Sequence, residues 1–353
     1  MTIKTNLQKK IFRERSPKKT RLNYLRLDKN ERVSRFEKNF FKKIMSKITH
    51  EHLTSYPEME KIYDMIARQN KISKRSIVLT AGSDGGIRLC FELFTKPSDR
   101  IICLTPTFAM VNIYSKIFKV KQSKIGYDTK LKLNLGKFHS LLKKKISLVI
   151  FANPNSPTGT IIDTKEVIKI LKITKRKKIP VLIDEAYYGF SRFSAANLVK
   201  KYDNLVVART FSKAYGLAGC RAGYLISNKK IAEKFFSLKP MYEINSIATI
   251  IIEEFLKSNE YKRYVKNTEK GKKFLTSFLT KNNFKFIDTY ANFIHVDFGK
   301  SKKLLLNSFK KNKILVKGGP GVKGFENFTR ITLGPVDQMK KLINVVKKKI
   351  NAR

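Results

Sequence analysis

The chain has 353 residues, with 75 Lys or Arg against 27 Asp or Glu and a formal net charge of +48. A 42% hydrophobic content, 11% aromatics, 17 Gly and 10 Pro belong to a chain that buries a core, which excludes a disordered basic tail. No run of about 18 apolar residues occurs, which excludes a membrane-spanning helix, and Cys90, Cys103 and Cys220 lack the spacing of a disulfide framework or a zinc site, so no metal is expected.

In chain order, the first twenty residues are basic and lack the apolar core of a secretory signal, so a cytoplasmic protein is expected. Apolar β-rich runs then recur: SIVLT (76–80), RIICL (100–104), SLVIFAN (147–153), PVLIDEA (180–186), NLVVART (204–210) and AGYLIS (222–227). Each is short, continuous and bounded by polar or turn residues, as a strand buried on both faces should be. Helical periods separate them, at 84–94 and 164–178. The alternation predicts an α/β unit with a mostly parallel sheet covered by helices. Beyond about residue 228 come helical stretches at 243–258 and 261–281. Strand-like runs follow at 284–289, 292–298, 314–316 and 328–333, and a last helix spans 336–350. This tail reads as a second, α+β domain. Lysine clusters at 143–145, 175–178 and 347–349 fall where helix surfaces are expected. The charge therefore reads as solvated surface rather than a nucleic-acid arm, and no specific nucleic-acid or membrane partner is expected.

Ligands of open α/β sheets sit at the carboxyl ends of the strands. AGSDGG (81–86), between strand and helix, offers small residues and a helix N-terminus suited to an anion, without matching a nucleotide fingerprint. Asp184 ends a buried strand. It could cap a helix, bind a metal or face a protonated ring nitrogen, with Tyr187 reaching the same ligand. Lys213 follows another buried strand, among small residues and eight positions before Arg221. A desolvated amine beside a second cation meets the requirement of a Schiff-base lysine.

The ordered set AGSDGG, Phe108, NPNSPTG (153–159), DEAY (184–187), TFSKAYGLAGCRAG (210–223) and FTRITLG (328–334) resembles the fold-type I, pyridoxal 5′-phosphate-dependent aminotransferases of class I/II. The resemblance runs from about Leu27 to the C-terminus and is strongest to the histidinol-phosphate aminotransferase branch, whose members serve amino-acid biosynthesis. It implies an aspartate aminotransferase-like fold: an arm (1–40) joining the small domain, a large cofactor domain (41–257) and a small C-terminal domain (258–353).

It further implies that Lys213 carries the cofactor and shuttles the Cα proton. Asp184 would pair with the pyridine nitrogen, Tyr187 would bond the ring oxygen and Phe108 would stack on the ring. Ser83, Asp84, Thr210, Ser212 and Arg221 would hold the phosphate, with Tyr56 of a neighbouring subunit in a homodimer. Arg330 would grip the substrate carboxylate, with Asn292, Asn30 and Glu31 lining the pocket.

Four positions depart from the family pattern. Ser156 stands where an asparagine commonly contacts the ring oxygen, so either Asn155 or Ser156 would do so. Arg32-Val33 replaces Asn-Pro, and Lys317 replaces an arginine. The expected reaction is amino transfer between glutamate and a small anionic substrate, with histidinol phosphate the best single match. A decarboxylase of a phosphorylated amino acid, like threonine-phosphate decarboxylase, is the alternative.

Overall fold

Successive residues of a strand point to opposite faces, so a strand apolar at every position needs cover on both sides. The computed structural model, which describes residues 21–134 and 136–350, meets that need with two helical layers. After the short β1 (Leu25–Arg26), seven strands form one sheet: β2 (Ile77–Thr80), β3 (Arg100–Thr105), β4 (Lys121–Gly126), β5 (Leu148–Ala152), β6 (Val181–Asp184), β7 (Leu205–Thr210) and β8 (Gly223–Ser227). Their order is β2-β8-β7-β6-β5-β3-β4. β8 runs antiparallel to both its neighbours, while the other pairings are parallel.

The alternation divides the large unit into two cores. Val149, Phe151, Val181, Ile183, Leu205 and Val207 face one side, with Val167, Ile170 and Leu171 of the helix Thr164–Arg176. Leu148, Ile150, Leu182, Val206, Ala208 and Leu225 face the other, with Ile87, Cys90 and Phe91 of the helix Gly82–Phe94.

The smaller unit adds β9 (Lys285–Ile287), β10 (Phe293–Asp297), β11 (Ile314–Leu315), β12 (Lys317–Gly318) and β13 (Phe328–Thr332). Four of these make an antiparallel sheet in the order β12-β13-β10-β9. Helices Glu260–Lys281 and Val336–Ile350 close its core through Leu275, Leu279, Met339, Leu342 and Ile343. β11 pairs instead with β1, Leu25 opposite Ile314, and Leu27 is fully buried in the same core. The chain from residue 21 to about 30 is thus held against this smaller unit, and the first twenty residues of the expected arm lie outside the described residues.

The apolar runs correspond to strands, but β4 has no such run. It is an edge strand in which Ser123 and Ile125 are buried while Lys121 and Lys124 are exposed, so its sequence reads as polar. The lysine clusters at 143–145, 175–178 and 347–349 are all exposed.

The helix Glu260–Lys281 meets the turn before the last helix at Gly271, where an added Cβ would lie 1.9 Å from the Gly334 carbonyl oxygen. Gly271→Ala should therefore destabilise the fold by about 1–3 kcal/mol through overpacking, read as a lower urea midpoint at unchanged m-value.

Candidate active site

The reversed direction of β8 builds the anion corner. Because β8 is antiparallel to β2 and β7, its first residue, Gly223, lies opposite the last residues of both, Thr80 and Thr210. Arg221, just before it, therefore reaches the carboxyl edge of the sheet. Its Nη1 donates to the Ser212 hydroxyl at 3.5 Å and to the Ala218 carbonyl at 3.3 Å. The Thr210 hydroxyl donates to Ser212 at 3.0 Å. Beside them begins the helix Gly82–Phe94, with no side-chain cap at Ala81. The first-turn N–H groups of such a helix have no intrahelical acceptor and form an anion site. Gly82, at φ +75°, is needed here: a Cβ on it would stand 3.2 Å from Arg221 Nη2.

The side chains of Ser83 and Asp84 do not turn to this corner as expected. The Ser83 hydroxyl bonds the Asp184 carboxyl, and Asp84 accepts from the Tyr114 hydroxyl at 3.0 Å. With these side chains engaged, what the first helical turn offers an anion is its unpaired backbone N–H groups.

Asp184 ends β6, 4% exposed, and its Oδ1 is buried without a partner among the described residues. Burial pushes its carboxyl up to about 7, opposed by bonds from the Ala186 N–H and Ser83. Tyr187 is also buried. Its hydroxyl accepts from Asn30 Nδ2 at 2.8 Å and bonds the Ser156 hydroxyl, and burial raises its pKa. Asn155 turns away, its Nδ2 donating to Pro106 O at 3.0 Å and Thr158 Oγ1 at 2.9 Å. Phe108 stands half-buried ahead of the helix Ala109–Ile117.

Lys213 follows β7, and its Nζ donates to the carbonyl of Lys29 at 3.0 Å. Burial is the main cause that lowers its pKa to about 8; Arg330 and Arg221 lower it further, while Glu31 opposes. Arg330, on β13, donates through Nη2 to Asp28 O at 2.8 Å, stands 5.3 Å from the Phe293 ring, and keeps Nε buried without a partner among the described residues. Asn292 Nδ2 donates to Asn30 O at 3.1 Å.

The Glu31 carboxylate pairs with Arg21 and Arg26, both at 3.2 Å, and is near enough to Lys213 to oppose the lowering of its pKa. Asn30, at φ +57°, turns its amide to Tyr187. Tyr56 is 77% exposed and stacks on Tyr242 at 4.5 Å, outside this chain's own site.

Sequence reading missed Arg209 and Glu185. Each is at most 2% exposed, and Arg209 Nε donates to Glu185 Oε2 at 2.9 Å while its guanidinium lies 3.4 Å from the Tyr188 ring. A charge inside the otherwise apolar run LVVART was the available signal.

Pyridoxal 5′-phosphate would need an anion corner, an acid for its ring nitrogen and an amine that sheds its proton near neutrality. The Arg221 corner, the partnerless Asp184 oxygen and Lys213 fit those needs. Among the described residues no cluster could hold a metal ion, and no helix is long and apolar enough to cross a membrane.

The sequence pattern of the family Aminotransferase class I and II matches residues 51–346. The chain is 32% identical over 326 residues to the histidinol-phosphate aminotransferase of Caldanaerobacter subterraneus, covering 91% of this chain and 92% of that protein. It is 31% identical over 333 residues to that of Clostridium novyi, covering 92% and 91%. The structure of histidinol-phosphate aminotransferase from Clostridium acetobutylicum superposes with a TM-score of 0.80 at 25% identity, over 93% of this chain and 100% of that one. The Sinorhizobium meliloti enzyme, solved with pyridoxal-5′-phosphate, has the same fold, with a TM-score of 0.81 at 20% identity over 92% and 91%.

The unfolded chain keeps the Lys213 proton up to its ordinary 10.5, whereas the folded apoprotein releases it near 8. The group thus weighs against folding below pH 8, and this penalty fades as pH rises from 8 toward 10.5. Modification of Lys213 by an amine reagent, followed by peptide mass spectrometry, should rise with a midpoint near pH 8. A midpoint at the ordinary lysine value would contradict the desolvation argument.

Proposed function

The chain belongs to the aminotransferase class I and II family, with pyridoxal 5′-phosphate as its cofactor, and we propose that it moves an amino group between the pair glutamate/2-oxoglutarate and a phosphorylated substrate, histidinol phosphate being the amine and its keto counterpart the acceptor of the glutamate amino group. The names of its relatives support this substrate. The observation that carries the amino-acid half is that Arg330 and Lys213 hold consecutive carbonyls, those of Asp28 and Lys29, at 2.8 and 3.0 Å. Arg330 is also near enough to Lys213 to lower its pKa. A carboxylate gripped by the guanidinium would therefore bring its Cα toward the Lys213 amine.

When bound, the cofactor supplies a carbonyl for the substrate amine and a protonated ring that accepts the electron pair left at Cα. The residues supply the rest. Arg330 orients the carboxylate as a two-pronged donor. Lys213, near its pKa at neutral pH, takes the proton from Cα and returns it. Asp184, whose Oδ1 has no partner among the described residues, would pair with the ring nitrogen and favour its protonated form. Tyr187 and Ser156 would contact the ring oxygen, with Ser156 in the role commonly filled by asparagine. Arg221, Thr210, Ser212 and the backbone of Ser83 and Asp84 would hold the phosphate, and Phe108 would cover the ring. Exposed Tyr56 completes the corner of a second copy, making a homodimer in the cytoplasm.

L-Glutamate alone should convert the cofactor band of the holoenzyme to the pyridoxamine form with release of 2-oxoglutarate. Carbon dioxide evolved from a phosphorylated amino acid, without that half-reaction, would establish the decarboxylase instead. Lys213→Ala should lose both the yellow colour and turnover. Arg330→Lys, which forfeits the paired donors, should raise KM for glutamate about tenfold, equivalent to about 1.4 kcal/mol, in steady-state assays.

A further inference from the structure

Arg32 is buried where a charge is costly to keep. Its side chain is 7% exposed, and Nη2 donates at 2.8 Å to Glu260, itself 2% exposed, in the first turn of the helix Glu260–Lys281. The guanidinium carbon lies 4.3 Å from the Phe36 ring and 4.4 Å from the Tyr264 ring. Nε and Nη2 also donate to the carbonyls of Ser34 and Arg35, both at 3.2 Å. A guanidinium can use ring faces and carboxylate together because it is planar and weakly hydrated. The aliphatic stem presses on Gly216, three residues beyond Lys213, where an added Cβ would fall 2.5 Å from Arg32 Cδ.

Arg32 thus joins the smaller unit's long helix to the loop that carries Lys213, and the segment it ends is the one threaded through the site. That segment holds Arg330 by Asp28 O, Lys213 by Lys29 O and Tyr187 by the Asn30 amide. With Asp28, Lys29 and Asn30 two to four residues from this anchor, little slack separates it from these contacts.

We propose that Arg32 is a positioning residue for substrate binding: clamped by Glu260, Phe36 and Tyr264, it locks residues 28–32 so that Arg330 and Lys213 stand pre-oriented. An incoming carboxylate then replaces one carbonyl on a guanidinium already in place. The inference rests on the reading of Arg330 as the carboxylate grip.

Two holoenzyme variants test it. Arg32→Lys keeps the charge and loses the planar stack, whereas Glu260→Gln keeps the stack and loses the charge partner. Each should raise KM for L-glutamate about fivefold or more while kcat stays within about twofold. Trypsin cleavage of the Lys29–Asn30 bond, followed by mass spectrometry, should quicken about fivefold as the segment opens locally. Cleavage rates and KM within about twofold of the parent in both variants would overturn the proposal, as would a loss confined to kcat at unchanged KM. Should Arg32→Lys not fold, Glu260→Gln decides by the same measures. A parent enzyme inert to glutamate would remove the proposed donor, and the cleavage comparison, which needs no substrate, would still decide the locking.

Discussion

A lysine amine can lose its proton near neutrality only if its charged form is disfavoured, by removal from water, by like charges nearby, or by both. The site is organised to satisfy that constraint at Lys213. Three elements far apart in the chain contribute: β7 ends in the loop that carries the amine, the reversed β8 brings Arg221 to the same edge, and β13 supplies Arg330. The two guanidiniums that lower the lysine's pKa are also those placed to bind anions. One arrangement therefore tunes the amine and, on the proposed reading, would also favour negatively charged ligands.

The neighbouring carboxylates Asp184 and Glu185 show how the fold separates structural from chemical charge. Alternation at the end of β6 sends them to different surroundings. Glu185 is fully engaged by Arg209, Ser194 and the Ala195 N–H, so its burial is compensated within the protein. Asp184 keeps one oxygen without a partner among the described residues, and burial lifts its carboxyl to about 7. A cationic ring nitrogen would complete it. An uncompensated buried acid beside a compensated one marks where the chain leaves a bond for a ligand to make.

The substrate side depends on contacts between the two units. His295 on β10 donates from Nε2 to Pro157 O at 2.9 Å, since a carbonyl can only accept, and burial holds its pKa down to about 4. Gly159, at φ +75°, lies so close to Thr289 that a Cβ would stand 2.3 Å from it. The NPNSPTG loop is thus pressed between the large sheet and the small one, which sets Ser156 against Tyr187. The segment 28–32 closes the remaining side.

Local pattern determined a good deal by itself. Continuous apolar runs separated by helical periods are enough to specify strands buried on both faces, because cover on two sides is the only way to hide such runs. The polar residues after those strands singled out Lys213, Asp184, Tyr187 and Arg221, because a sheet of this kind presents its ligands at one edge, whereas Arg330, within β13 of the smaller sheet, was implied only by the family resemblance. What those side chains meet was not legible. That β8 runs backward, that Ser83 turns to Asp184, that Glu31 faces Arg21 while Asn30 faces Tyr187, and that Arg32 is buried against Glu260 all depend on partners up to 228 positions away. Sequence period fixes which face of an element is apolar, but the partner of a polar side chain is set by how elements pack, and only the tertiary structure decided that.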